Sequence, residues 1–286
     1  MSKTVFLNGE YLKDDEAKIS IFDRGFIFGD GVYEVVPVVN HTVLDKAPFL
    51  ERFNRSLKEI ELKLPFSENA LLEMINELIK RNNLKEGGVY MQITRGVAPR
   101  DFAFPENITP TCMAFTFEKE VINNPKAKTG IKVVTVPDIR WKRRDIKSIA
   151  LLAQCIAKQE ASKKGAYEGW MVEDGYVTEG TSSSAYIVKD GVIITRPLTN
   201  TILPGIRRKI LLELAEKYDI KIEQRAFTPQ EAYEADEAFL SSATTFVLPI
   251  VEIDGHQIGS GKPGKLFLKM RKMYIDSALQ IAGIKL

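Results

Sequence analysis

The sequence predicts an α+β fold in two domains, divided near residue 120. Three observations carry this. The first part of the chain alternates strand and helix signals. A polar stretch containing Asn123-Asn124-Pro125 then interrupts the pattern, as a linker would. Beyond it strands resume, with two Asp-Gly hairpin turns and further helices. The expected boundaries are 1–120 for a smaller N-terminal α/β domain, 121–130 for the linker, and 131–286 for a larger C-terminal domain.

The elements follow in order. Val5 to Leu7 precede an Asn8-Gly9 turn, which marks a hairpin. Val32 to Val39 form a β-rich run interrupted by Pro37. A helix near 47–61 places Phe49, Phe53, Leu57 and Ile60 at helical spacing, and another near 68–82 does so with Leu71, Leu72, Ile75, Leu78 and Ile79. The run from Val89 to Thr94 alternates like a half-buried strand, and Thr111 to Glu118 is a further strand. After the linker come a strand over Ile131 to Val136 and a helix near 148–163 with Ile149, Leu152 and Ile156 on one face. Turns at Asp174-Gly175 and Asp190-Gly191 close two hairpins, and helices are expected near 205–218, 228–234 and 263–282. There is no internal repeat.

Composition narrows the function. Hydrophobic residues make up 44% of the 286, enough for real cores, and the formal net charge is only +2. That balance argues for neither nucleic-acid nor membrane partners. The N-terminus lacks the pattern of a signal peptide, and no apolar run is long enough to span a bilayer. Two cysteines, Cys112 and Cys155, suit a reducing compartment, so the expected location is the cytoplasm. The only histidines, His41 and His256, sit beside turn residues. A histidine triad or multi-histidine metal site is therefore not expected, and chemistry falls to another base or a cofactor.

Lys147 stands out by its setting. It lies between the cationic run Arg140, Lys142, Arg143, Arg144 and an expected helix start at Ser148. Cations and a helix N-terminus both disfavour one more positive charge, which favours a nucleophilic amine. The same residues also read as a solvated basic turn. Glu179, followed by Gly180-Thr181-Ser182-Ser183-Ser184, offers a carboxylate beside small hydroxyls, but also an ordinary Ser-rich loop. Leu203-Pro204-Gly205-Ile206-Arg207 opens a helix where phosphate could meet free N–H groups, and Ser241 to Thr245 form a second hydroxyl loop. Each is also common punctuation.

Taken together, the segments are similar to the fold-type IV pyridoxal-phosphate enzymes, and within them to D-amino acid aminotransferases. The matching stretches are Asp23-Arg24-Gly25-Phe26, Phe28 to Val35, Phe104-Pro105-Glu106-Asn107, Asp138-Ile139-Arg140-Trp141, Asp145 to Ser148, Ala157 to Ala161, Val177 to Gly180 and Glu252 to Gly255. Their joint order and spacing carry the resemblance over almost the whole chain.

The resemblance implies the following roles. Lys147, in the C-terminal domain, is the Schiff-base lysine and proton shuttle. Glu179 pairs with the pyridine nitrogen, and Tyr33 is the tyrosine near the lysine. Arg52 grips the cofactor phosphate, with Gly205, Ile206, Arg207, Ser242 and Ala243 forming the rest of its cup. Leu203 packs on the ring face. Arg100 takes the substrate α-carboxylate, reaching in from the partner of a homodimer, and Ser182 lies on the substrate side. No metal is implied. Three positions depart from the family pattern: Phe102 replaces a histidine, Arg207 a threonine, and Ala243 a phosphate-binding threonine. Arg207 either adds a cation to the phosphate or points into solvent. The implied reaction passes an amino group between D-alanine or D-glutamate and 2-oxoglutarate or pyruvate. A branched-chain L-amino acid aminotransferase and an aminodeoxychorismate lyase share the fold and remain alternatives. The joint presence of Lys147 and Glu179 argues against a non-catalytic relative.

Overall fold

A computed structural model describes residues 3–285. They form two compact units. The first comprises the chain up to Lys119, the short segment Ile146–Ala150 and the C-terminal stretch from Ala278; the second comprises Glu120–Asp145 and Leu151–Ser277. Lys147 therefore belongs to the first unit.

The first unit contains β1 (Thr4–Leu7), β2 (Glu10–Lys13), α1 (Arg24–Phe28), β3 (Gly31–Val39), β4 (Thr42–Val43), α2 (Lys46–Glu59), α3 (Glu68–Arg81), β5 (Glu86–Thr94) and β6 (Thr111–Glu118). Its strands form one antiparallel sheet in the order β2-β1-β6-β5-β3-β4. The two long helices are amphipathic as their spacing predicts. On α3, Leu71, Met74, Ile75, Leu78 and Ile79 are buried, Ser67 caps the N-terminus by accepting from the Ala70 N–H, and Lys80 and Arg81 complement the dipole at the other end. On α2 the buried face holds Phe49, Phe53 and Leu57 and also Arg52 and Ser56, two polar groups no core needs for packing. Asn40 and His41, both at positive φ, make the tight turn from β3 to β4. Pro37 does not interrupt β3, which runs unbroken with Pro37 opposite Gly88.

The second unit contains α4 (Lys126–Thr129), β7 (Ile131–Pro137), α5 (Leu152–Lys163), β8 (Glu168–Glu173), β9 (Tyr176–Gly180), β10 (Ser184–Lys189), β11 (Val192–Thr195), α6 (Ile206–Lys217), β12 (Ile222–Gln224), α7 (Pro229–Tyr233), β13 (Glu237–Ser242), β14 (Phe246–Ile253), β15 (His256–Gln257) and most of α8 (Lys265–Ile281). Its sheet runs β12-β11-β10-β13-β14-β7-β8-β9, with β15 on β14. The pairs β14–β7, β7–β8 and β11–β12 are parallel and the rest antiparallel. The architecture is α+β.

One helix differs from its sequence reading. It begins at Leu152, not Ser148, because 147–149 pair with a strand instead. The apolar face expected to be core is also turned outward. Leu152 is 74% and Ile156 49% exposed, while the small residues Ala157 and Ala161 are buried. Among the described residues no helix is long and apolar enough to cross a membrane.

The loop after β7 is tied to β8 by charge. Arg144 Nη1 and Nη2 donate to Glu173 at 2.6 and 2.8 Å, and Lys142 Nζ adds a contact at 2.8 Å. The Arg144 and Lys142 hydrogen bonds hold the Glu173 carboxyl down at about 2, from an ordinary 4.5. A carboxyl depressed in the fold adds stability above its unfolded value and loses it as pH falls from about 4.5 towards 2. Glu173→Gln should therefore lower the melting temperature at pH 7, and this deficit should shrink to nothing as melts are repeated towards pH 2. An equal deficit at both pH values would contradict the pairing.

Candidate active site

In the first unit, Lys147 is held by backbone pairing. The Tyr33 N–H donates to the Lys147 carbonyl at 3.0 Å, the Ile149 N–H donates to Gly31 O at 3.1 Å, and Ser148 bridges Val32. The segment thus adds a short strand to β3. Ser56, buried on α2, accepts from the Lys147 N–H at 3.3 Å. Gly31 is required here, since a Cβ would lie 2.5 Å from Ile93 O and 3.1 Å from Ile149 Cδ1. Lys147 Nζ sits 4.0 Å from the centroid of the Tyr33 ring, a cation–π distance. Tyr33 stacks on Tyr90 and Tyr90 on Phe115, a row across three strands. Burial, with the nearby Tyr33, pushes the Tyr90 phenol well above its ordinary range.

Neither charge feature expected beside Lys147 is present in the fold. No helix starts at Ser148, and the cationic run is neutralised. Arg140 pairs with Asp138 and Glu179, Lys142 and Arg144 with Glu173, and Arg143 with Asp145. What distinguishes Lys147 is its placement on an aromatic face by a strand-like backbone.

Arg52 is 9% exposed and donates from Nε and Nη2 to the two oxygens of Glu34, each at 2.7 Å. Arg100 is exposed on the loop after β5, and among the described residues no carboxylate pairs with it. Its guanidinium lies 5.5 Å from the Phe28 ring centroid and 5.4 Å from that of Phe102. Phe102, where a histidine donor was expected, offers an aromatic face.

In the second unit the centre is Glu179 on β9. Its Oε1 accepts from Arg140 Nη1 at 2.5 Å and from the Leu203 N–H at 3.1 Å. Arg140 also donates from Nε and Nη2 to Asp138 at 2.9 and 2.7 Å, and Thr178 Oγ1 donates to Asp138 at 2.7 Å. All three charged groups are nearly buried. Burial raises the Glu179 carboxyl above its ordinary value, with Arg140 and the Leu203 N–H opposing. At Asp138 burial also pushes upward, but hydrogen bonds and charge from Arg140 and the Thr178 hydroxyl win and hold it low.

The helix α6 starts at Ile206, with Gly205 as its cap. A Cβ on Gly205 would meet Ser184 Oγ at 2.7 Å. Arg207 is 3% exposed, so it does not point into solvent. Ser242 Oγ lies 2.8 Å from Thr245 Oγ1 and accepts from the Thr244 N–H, which orders the hydroxyl loop; Ala243 is half-buried within it. Ser182 is exposed and donates to Glu168 Oε2 at 3.2 Å, with Thr181 and Ser183 on the same carboxylate.

Sequence reasoning missed Glu34, Asp138, Arg140 and Glu168 as partners of the chosen residues. The signal was present: each is a charge within or bordering an apolar strand run, where burial without a partner is costly.

The chain belongs to the amino-transferase class IV family, whose model matches residues 31–253. It is 42% identical over 279 residues to the D-alanine aminotransferase of Staphylococcus haemolyticus, covering 96% of this chain and 98% of that protein. It is 41% identical to the D-alanine aminotransferase of Bacillus licheniformis, covering 96% and 97%. Among solved structures, the branched-chain amino acid aminotransferase of Escherichia coli superposes with a TM-score of 0.89 at 23% identity, covering 96% of this chain and 94% of the other. A 4-amino-4-deoxychorismate lyase from Pseudomonas aeruginosa reaches 0.79 at 24%, covering 95% and 98%. These last two likenesses show the shared fold.

Removing Arg140 would leave two buried carboxylates facing each other. Arg140→Ala should cost about 3–5 kcal/mol of stability, read from the denaturant midpoint. A loss under about 1 kcal/mol would mean the cluster is more hydrated than its burial indicates.

Proposed function

We propose that this chain is a pyridoxal-phosphate-dependent D-amino acid aminotransferase, passing an amino group from D-alanine or D-glutamate to 2-oxoglutarate or pyruvate. The observation that carries the reading is similarity at about 40% identity to D-alanine aminotransferases along nearly the whole chain.

The residues present fit the cofactor. A half-buried amine, Lys147, suits an aldehyde, and a buried carboxylate, Glu179, suits a ring nitrogen. The α6 N-terminus, the close approach that Gly205 permits, the Ser242 hydroxyl loop with Ala243 in its backbone, and the buried Arg207 suit a phosphate. The resemblance also assigns Arg52 to the phosphate, and Glu34 orients its guanidinium through both carboxylate oxygens. Pyridoxal phosphate, when bound, supplies an aldehyde that takes the substrate amino group and a ring that draws electrons from its α-carbon. Lys147 Nζ takes the α-proton and returns it, and the Tyr33 ring face favours the ammonium while the proton is held. Arg140 and the Leu203 N–H fix Glu179 through Oε1; Oε2 would be left for the ring nitrogen, and the Leu203 side chain would lie against the ring. Arg100 binds the substrate α-carboxylate in a two-pronged contact, with Phe102 beside it, and Ser182 lines the substrate side.

The chain works as a homodimer. In support, the first unit exposes Ile21, Phe22, Phe26, Val97, Phe102 and Phe104, far more apolar surface than isolated side chains explain. Two free thiols accord with the cytoplasm.

Purified protein given pyridoxal phosphate should show a visible absorption band that Lys147→Ala lacks. With 2-oxoglutarate, D-alanine should yield pyruvate; pyruvate from L-alanine alone overturns the D reading. Arg100→Ala should raise KM for D-alanine about tenfold or more, as loss of a charged hydrogen bond does.

A further inference from the structure

Two charged residues of the first unit's motifs, Arg24 of Asp23-Arg24-Gly25-Phe26 and Asp30 of Gly29-Asp30-Gly31, have no part in the chemistry above. They converge on the segment that bears Arg100. Arg24 is 2% exposed, and its guanidinium points three ways. Nε donates to Asp30 Oδ2 at 2.7 Å, Nη1 to the Asp101 carbonyl at 2.5 Å, and Nη2 to the Phe102 carbonyl at 3.4 Å. Those carbonyls belong to the two residues directly after Arg100.

The start of the same segment reaches the same carboxylate. Arg95 Nε donates to Asp30 Oδ2 at 2.8 Å, and Arg95 Nη2 to Ile60 O at 2.6 Å. The Arg95 guanidinium lies 3.5 Å from the Phe104 ring centroid. Backbone contacts complete the tie, with Arg24 N–H on Gly96 O at 2.8 Å and Arg95 N–H on Asp30 O at 3.1 Å. One oxygen of Asp30 thus orients two buried arginines, Arg95 at the start of the loop and Arg24 on carbonyls near its middle. The third arginine, Arg100, stands exposed beside the packed rings of Phe28 and Phe102 with no carboxylate partner among the described residues. A loop presenting an unpaired cation needs rigidity, or the binding energy is lost to ordering it. Arginine suits the task because its fork reaches a carboxylate and two carbonyls at once; lysine, a single point donor, does not.

We propose that Arg24, oriented by Asp30, is a positioning residue for substrate recognition: it fixes the 95–104 loop so that Arg100 meets the carboxylate of the amino acid. This rests on the assignment of Arg100 to that carboxylate. Arg24 touches neither substrate nor cofactor in this role. Its loss weakens ground-state capture while leaving the proton transfer at Lys147 intact.

The test is a double-mutant cycle on the cofactor-loaded enzyme, reading KM and kcat for D-alanine, with the visible absorption band and melting temperature as checks of folding. Arg24→Met should raise KM about tenfold with kcat changed less than about threefold. In an Arg100→Ala background the same change should add less than about twofold, because the loop then presents nothing. Arg24→Lys should stay close to Arg24→Met in KM, since lysine cannot hold both carbonyls. An unchanged KM in Arg24→Met, or an equal factor in both backgrounds, overturns the proposal while the Arg100 assignment stands. If Arg100→Ala alone leaves KM unchanged, that assignment falls and takes this inference with it. Should Arg24→Met fail to take up cofactor, Asp30→Asn carries the same cycle: a raised KM that vanishes without Arg100 is expected, and an unshifted KM overturns the proposal.

Discussion

The pairing of residues 147–149 with the edge of β3 is the constraint on which the proposed chemistry depends. An amine on a flexible four-carbon stem has little value as a nucleophile unless its backbone is fixed. Here the Tyr33 N–H and the Gly31 carbonyl fix it on both sides, and Ser56 adds a third contact. The Tyr33 ring then gives Nζ a resting face at 4.0 Å. The same tyrosine thus serves with backbone and side chain, which couples lysine position to sheet register. A shift of one residue in β3 would turn Tyr33 to the opposite face.

Several buried charges among the site residues have a partner of opposite sign at hydrogen-bond distance. Glu34 has Arg52, Glu179 and Asp138 share Arg140, and Asp30 serves Arg24 and Arg95. Such pairs are weak sources of net stability, because desolvation offsets most of the attraction. They are strong sources of geometry, because a displaced partner leaves an uncompensated charge. That explains why they cluster around the residues assigned to the cofactor and substrate. Arg100 differs at the surface, where an unpaired cation is inexpensive and available to an anion.

Phe102 shows how one departure from a family pattern changes a local device without removing it. A histidine there could donate to a carboxylate. The phenylalanine instead packs against Phe28, ring centroids 5.5 Å apart, and the Arg100 guanidinium lies beside both rings at 5.5 and 5.4 Å. Aromatic faces orient a planar cation without competing for its donors.

Much of this was legible in the chain itself. Periodicity placed α3 to within a residue at its C-terminal end, because Leu71, Ile75 and Leu78 bury on one face and Ser67 caps the other end. The order of the motifs identified the family, and the resemblance it carries is what assigns roles to Lys147 and Glu179. The start of the helix after Lys147 was not, since a short apolar run fits a helix turn or an added strand equally, and only Val32 across the gap decides between them. The outward face of Leu152 and Ile156 was hidden for a related reason: periodicity locates an apolar stripe but not which neighbour covers it. The charge run before Lys147 read as a shared field, whereas folding gave every member a carboxylate partner, with Lys142 and Arg144 sharing Glu173. Sequence determined which residues could do the chemistry, because residue type and order are local facts. Only tertiary structure decided which charges are cancelled and which, like Arg100, remain to act, because an ion pair depends on a partner that spacing along the chain does not reveal.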